Sequence, residues 1–201
     1  MWAQLLQQVQ IHFMSMLHSY GKQALLPSFF VGICYGFLSF FFLNRKQQTK
    51  PLLSPKLLSC YRGSCATVLT FYIYILINIV FLSREPGPIV VNLKFLGTYH
   101  GEWCLIYLIE NAIMLLPLGF LIPKVMPCFQ HWWATLLLGL LASASIELTQ
   151  YYTRLGYLEL DDLWTNVLGC YAGYLLHLIS YLPLWFSRKS SAKKQKNQTS
   201  H

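Results

Sequence analysis

Five stretches of about twenty apolar residues, each closed by a polar or basic turn, set the plan of this chain: 24–43, 64–83, 103–122, 132–151 and 163–183. Twenty helical residues rise about 30 Å, the thickness of a bilayer's hydrocarbon core, so each stretch predicts a transmembrane helix. None contains Lys or Arg. Ahead of them, Trp2, Leu5, Leu6, Val9, Phe13, Met16 and Leu17 recur at helical spacing against Gln4, Gln7, Gln8 and His12. That pattern predicts an amphipathic helix over 1–22 lying in the membrane interface, too polar to span. The first span is too long for a cleaved signal peptide and has no small-residue cleavage site after it, so it is expected to stay. Residues 184–201, rich in Ser, Lys, Gln and Asn without apolar periodicity, predict a disordered basic tail. The expected fold class is an all-α integral membrane protein with about five transmembrane helices.

Composition agrees with the pattern. Hydrophobic residues make up 55% of the 201 positions and charged ones 11%, with a mean hydropathy of +0.44, which excludes an ordinary soluble domain. Of fifteen basic residues, eleven fall in the 44–63 loop, at Lys124 or in the tail. Loops rich in Lys and Arg are retained in the cytoplasm. With five spans, that predicts a multi-pass cell-membrane protein with its C-terminus in the cytoplasm and its N-terminus outside. The net charge of +8 forms a collar and a tail rather than a basic face with interleaved aromatics, so anionic lipid head groups are the expected partners and nucleic acid is not. The basic residues on the outer side, Lys22, Arg84, Lys94 and Arg154, show no cluster that would await a phosphate.

The six cysteines and six histidines add no chemistry: they are spread over both sides and the interior, and the Cys60/Cys65 pair lacks a second pair. No disulfide framework and no cofactor are predicted. The informative residues are polar groups inside or beside the apolar runs, because an ionised side chain at mid-bilayer costs about 2.5–3.5 kcal/mol on insertion scales. In the third span these are Glu110 and Asn111, followed by Pro117 and Gly119. The fourth span carries Ser143, Glu147 and Gln150 on one helix face. Then come Glu159, Asp161 and Asp162, with Asn166, Gly169 and Gly173 continuing from Asp162 at steps of four, three and four. The outer half of that stripe suits a ligand, and its glycine half suits close packing against another helix, with packing inside the bundle favoured over packing between protomers. Asp161 and Asp162 also suit a helix start, where carboxylates cap free N–H groups.

In order and spacing, Asn111-x5-Pro117-x-Gly119, Glu147-x2-Gln150, Glu159 and Asp162-x3-Asn166-x2-Gly169-x3-Gly173 resemble the VanZ-like family, named after a teicoplanin-resistance membrane protein. The fragment Asn92-Leu93-Lys94-Phe95 is similar to the family's Asn-Leu-x-Pro-Phe but lacks its proline, and Glu159 stands where many members have Asp. The resemblance divides the chain into the interfacial helix 1–22, a first transmembrane helix with its basic loop at 24–63, a four-helix VanZ-like domain at 64–183 and the tail. It implies a cell-envelope protein, associated in its named member with lowered susceptibility to teicoplanin, and hence antibiotic resistance.

Three classes of function remain open on these residues. In a binding protein without turnover, Asn111, Glu147, Gln150 and Asn166 would hold an outer-leaflet lipid, an envelope precursor or a lipoglycopeptide. In a membrane enzyme, Glu147 or Asp162 would be the catalytic group, with Glu159, Asp161 and Asp162 holding a divalent cation against phosphate oxygens. In a transporter, Glu147 and Glu110 would relay protons or bind a small solute. A polar network that only locks the helices together is the remaining alternative. The oligomeric state is left open by the sequence.

Overall fold

The computed structural model describes residues 2–45, 54–95 and 104–181. Five long helices run through it: α1 (Trp2–Arg45), α2 (Pro55–Ile77), α3 (Cys104–Val125), α4 (Trp132–Thr153) and α5 (Leu160–Ile179). The chain is a membrane-embedded, multi-pass, all-α protein. Among the described residues, four stretches are long and apolar enough to cross a bilayer: His18–Phe42, Pro55–Leu82, Leu108–Val125 and Trp132–Thr153. The fifth expected span falls on α5, whose first turn carries Asp161 and Asp162. The expected disordered tail lies outside the described residues, as do most side chains of the amphipathic N-terminal segment.

Where sequence periodicity separated an interfacial helix from the first span, the backbone runs as one helix through Pro27. A helical proline disturbs the hydrogen bonds of the turn before it, and here Ser28 Oγ donates to the Ala24 carbonyl at 2.6 Å in that turn, with both residues buried. The basic 44–63 loop is also shorter than expected. Pro55 opens α2 at a position where its missing N–H costs nothing, and Ser54 caps the helix by accepting from the Leu57 N–H at 3.4 Å. The outward face of α1 is lined by Leu26, Phe30, Ile33 and Phe37, all strongly exposed. In lipid, that face is the solvated one.

Helices meet through small residues. On α5, a Cβ added to Gly169 would overlap the Ala112 carbonyl of α3, and one added to Gly173 would overlap the Leu116 carbonyl. From the other side, a Cβ on Gly119 would overlap the Cys170 carbonyl. The expected glycine seam therefore lies within the chain, between α3 and α5. The α1–α2 pair uses the same device, with Gly32 and Gly36 facing Gly63. Pro117 disturbs α3 beside the core, where the Met114 carbonyl accepts from Tyr72 Oη at 2.5 Å. Below this level Leu115, Leu118, Leu121 and Ile122 of α3 pack with Leu69, Val80, Ile146 and Cys170 in one buried cluster.

At one end of the bundle the connections are tied together. α2 ends in a π-helical turn, Asn78–Leu82, and the following segment places a two-residue strand, β1 (Val91–Asn92), parallel to β2 (Leu158–Glu159) between α4 and α5. Asn92 is paired with Glu159 and its Oδ1 accepts from the Lys94 N–H at 3.3 Å, which gives the Asn92–Phe95 fragment a structural role in closing a turn.

Gly169→Val drives a branched side chain into the α3 backbone, and overpacking of this kind costs about 1–3 kcal/mol. It is expected to lower the Tm of the detergent-purified protein by about 4 °C or more, or to abolish the folded peak in size exclusion. Gly21→Ala, whose added Cβ would meet Phe71 at an ordinary 3.7 Å, should lower neither.

Candidate functional site

The tied end of the bundle encloses a cavity of about 640 Å³. Glu110, Asn111 and Met114 of α3, Ile146, Glu147 and Gln150 of α4, and Asp162 of α5 form its walls and floor, and the segments 84–88 and 154–159 form its rim. The glycine seam explains why α3 and α5 bring their polar residues together here: Gly169 lies against Ala112, next to Asn111, and Asp162 is seven residues, or about two turns, before Gly169 on the same face. The Asn111 side chain comes near the Asp162 carboxylate across that seam and favours its charged form.

Five of the seven residues expected in the polar cluster line the cavity: Asn111, Glu147, Gln150, Glu159 and Asp162. Two do not. Asn166 is fully buried between α4 and α5, where its Nδ2 donates to Ser143 Oγ at 3.2 Å, and Ser143 Oγ donates to the Leu163 carbonyl at 3.3 Å. That chain of bonds ties one helix to the other. Asp161 is buried away from the cavity lining, on the first turn of α5. Among the described residues, no three His, Cys, Asp or Glu side chains are grouped so as to hold a metal ion.

Glu147 is 3% exposed, and its Oε2 accepts from the Glu159 N–H at 3.1 Å. The carboxylate thus pins the strand ahead of α5 to the wall of α4. Removing it would leave a half-buried N–H without this partner, a loss of about 1 kcal/mol. Asp162 precedes the 163–183 apolar stretch, and burial pushes its carboxyl up from 3.8 to about 6. Glu159 and Asp161 repel it in the same direction, while Arg84 and Asn111 favour the charged form.

Two arginines, counted from the sequence only as sparse outer charges, both reach this cavity. Arg84 lies within electrostatic range of Glu147 and Asp162, and its Nη1 approaches the Leu155 carbonyl at 3.4 Å. Arg154 ends α4 in the left-handed conformation, with φ 61° and ψ 22°. A non-glycine residue there costs about 1–2 kcal/mol relative to glycine. The conformation is held by the Leu155 N–H donating to the Gln150 carbonyl at 3.1 Å and the Gly87 N–H donating to the Arg154 carbonyl at 2.7 Å. Gly156 completes the rim because a Cβ there would lie 2.9 Å from Gln150 Cδ and 3.0 Å from Arg84 Nη1. The signals that could have found these residues are local. Arg84 opens the Arg84-Glu85-Pro86-Gly87-Pro88 turn directly after an apolar span, and Arg154 stands two residues before a glycine at a helix end.

Two measurements follow from this geometry. Arg154→Gly relieves the left-handed strain and is expected to raise the Tm by about 2–4 °C, the shift for roughly 1 kcal/mol in a chain of this size. A fall in Tm would mean that the arginine is kept for stability. Asp162 keeps its proton to higher pH when folded than when unfolded, so its contribution to stability is complete below about pH 4 and is lost as pH rises through about 6. Between pH 4 and 7 the Tm of the wild type should therefore fall more steeply than that of Asp162→Asn.

A family model described as VanZ/LLP1 matches residues 68–182. No curated protein and no solved structure matches the chain. The matched stretch exceeds half of the 201 residues and contains α3, α4, α5 and every side chain around the cavity, and the chain belongs to the VanZ/LLP1 family.

Proposed function

We propose that the cavity binds the charged head group of a membrane-anchored cell-envelope molecule from the outer side, without turning it over. The observation that carries this reading is the meeting of Arg84 and Arg154 with Glu147, Glu159 and Asp162 around one cavity at the ends of apolar helices. A head group with an ammonium and a carboxylate or phosphate finds a partner of opposite charge for each, and the guanidinium fork suits planar or tetrahedral oxyanions. Any acyl chain of such a ligand stays in the lipid beside the helices.

Other features weigh against the alternatives. Met114 and Ile146 line the cavity, and Leu115 and Leu118 beside them on α3 are buried in the core, which favours a binding site over a transport path. The bond from Glu159 N–H to the Glu147 carboxylate supports a pinning role for that group rather than that of a free base. The outward orientation rests on the count of basic residues, eleven of fifteen of which fall between Arg45 and Arg62, at Lys124 or from Arg188 onward.

Teicoplanin, which carries an acyl chain and acts at the outer leaflet, is one molecule that fits this description, and the resemblance to a teicoplanin-resistance protein makes it the first ligand to test. A sensitive Gram-positive host expressing the wild type should gain protection from teicoplanin and not from vancomycin. Arg84→Gln and Asp162→Asn should lose it at equal membrane levels. Protection retained in both well-expressed variants would overturn the pocket as its origin, and no protection by the wild type would remove the teicoplanin reading.

A further inference from the structure

The end of the bundle remote from the cavity holds a second polar cluster, built around a buried cation. Lys124, next to the last residue of α3, is 7% exposed, and its ammonium donates to Ser180 Oγ at 2.8 Å. The same nitrogen lies 4.4 Å from the Phe120 ring centroid and 5.0 Å from that of Tyr181. Ser180 Oγ in turn donates its proton to the His177 carbonyl at 2.6 Å, which leaves the oxygen's lone pairs for the lysine. Arg62, from α2, lies within electrostatic range of the Tyr181 hydroxyl, and Cys65 within range of Lys124. Three helices thus bring two cations toward the same tyrosine.

Among the described residues, no carboxylate side chain lies at that end to neutralise them. Of the described acids, Glu85, Glu110, Glu147, Glu159 and Asp162 line the cavity at the opposite end, and Asp161 sits on the first turn of α5. Ring faces and a hydroxyl soften the desolvation of an ammonium but leave its charge uncompensated. A second observation points to a ligand in the same place. His177 is 3% exposed, lies within electrostatic range of Lys124, and has a buried Nδ1 without a hydrogen-bond partner. An imidazole N–H, an ammonium and a guanidinium together form a donor set for a phosphate.

We propose that this cluster binds the phosphate of an anionic phospholipid, with Lys124 and Arg62 as its cationic contacts and the His177 Nδ1–H as a further donor. Basic pockets between membrane helices bind anionic head groups because the lipid supplies the missing counter-charge while its chains stay in the bilayer. The end occupied is the one that the distribution of basic residues assigns to the cytoplasm. The site is independent of the cavity at the other end and does not rest on its proposed ligand.

The full chain, delipidated in neutral detergent, provides the test by thermal melting with phosphatidylglycerol, phosphatidylcholine or inorganic phosphate. Phosphatidylglycerol should raise the Tm by about 5 °C at saturation, since a ligand that binds only the folded form stabilises it by mass action. Phosphatidylcholine should not. Arg62→Gln and Lys124→Gln should each remove the rise, Lys124→Arg should keep it, and Arg84→Gln in the cavity should leave it intact. If Lys124→Gln does not fold, the half-buried Arg62 gives the same readout. An equal rise with phosphatidylcholine, or a rise retained in Arg62→Gln, would overturn the site. A rise of equal size with inorganic phosphate would overturn the lipid as its ligand.

Discussion

The contact on which the other features depend is the backbone approach of α3 and α5 along Gly119, Gly169 and Gly173, each facing a main-chain carbonyl of the other helix where a Cβ would not fit. In lipid there is no hydrophobic drive between helices, and close packing supplies the attraction instead. The same approach sets the register of the polar residues above it. With Gly169 against Ala112, Asn111 comes within hydrogen-bond reach of Asp162, two turns up α5, and the two helices open a polar cavity at the end where glycines give way to larger residues. Packing in the lower half and the cavity in the upper half are therefore one geometrical fact.

The polar groups of α3, α4, α5 and the strand ahead of α5 divide by what they bond. Ser143 and Asn166 bond each other and the Leu163 carbonyl inside the helix interface, and Glu147 accepts from the backbone of the strand that leads into α5. These contacts fix the loop between the helices, and through the β1–β2 pairing they fix the 84–95 segment as well. The remaining groups, Asn111, Gln150, Glu159 and Asp162, face a shared space with two arginines. A buried carboxylate is costly unless something opposes its charge, and here the opposition comes from the connecting segments rather than from the spans. The strained backbone at Arg154 belongs to the same arrangement, since the left-handed turn carries a side chain that lines the cavity.

Charge is segregated along the bundle. Carboxylates gather at the cavity end, with Arg84 and Arg154 beside them, while Lys124 and Arg62 stand at the other end without a carboxylate side chain among the described residues near them. A bilayer makes such a division consequential, because charges at opposite ends of a spanning helix are too far apart to neutralise one another through the core. Each end must find its own partners in the chain, in water or in the membrane.

Hydrophobic periodicity and length by themselves determined an all-α membrane protein, and the steps of three and four residues placed Glu147 with Gln150, and Asp162 with Gly169 and Gly173, on common helix faces. Those properties are local, since a helix's face follows from its own residue spacing. The sequence did not reveal that Asn166 turns into the α4–α5 interface, that Asp161 leaves the cavity, or that the first helix continues unbroken through Pro27. Nor did it show that Arg84 and Arg154, seventy residues apart, line the same cavity. Only the tertiary structure decided these, because which neighbour a face meets, and which loop folds over a helix end, depends on the rotation and depth of one helix against another. That relation is set here by three glycines and a two-residue strand pairing, contacts between segments whose partners no local pattern names.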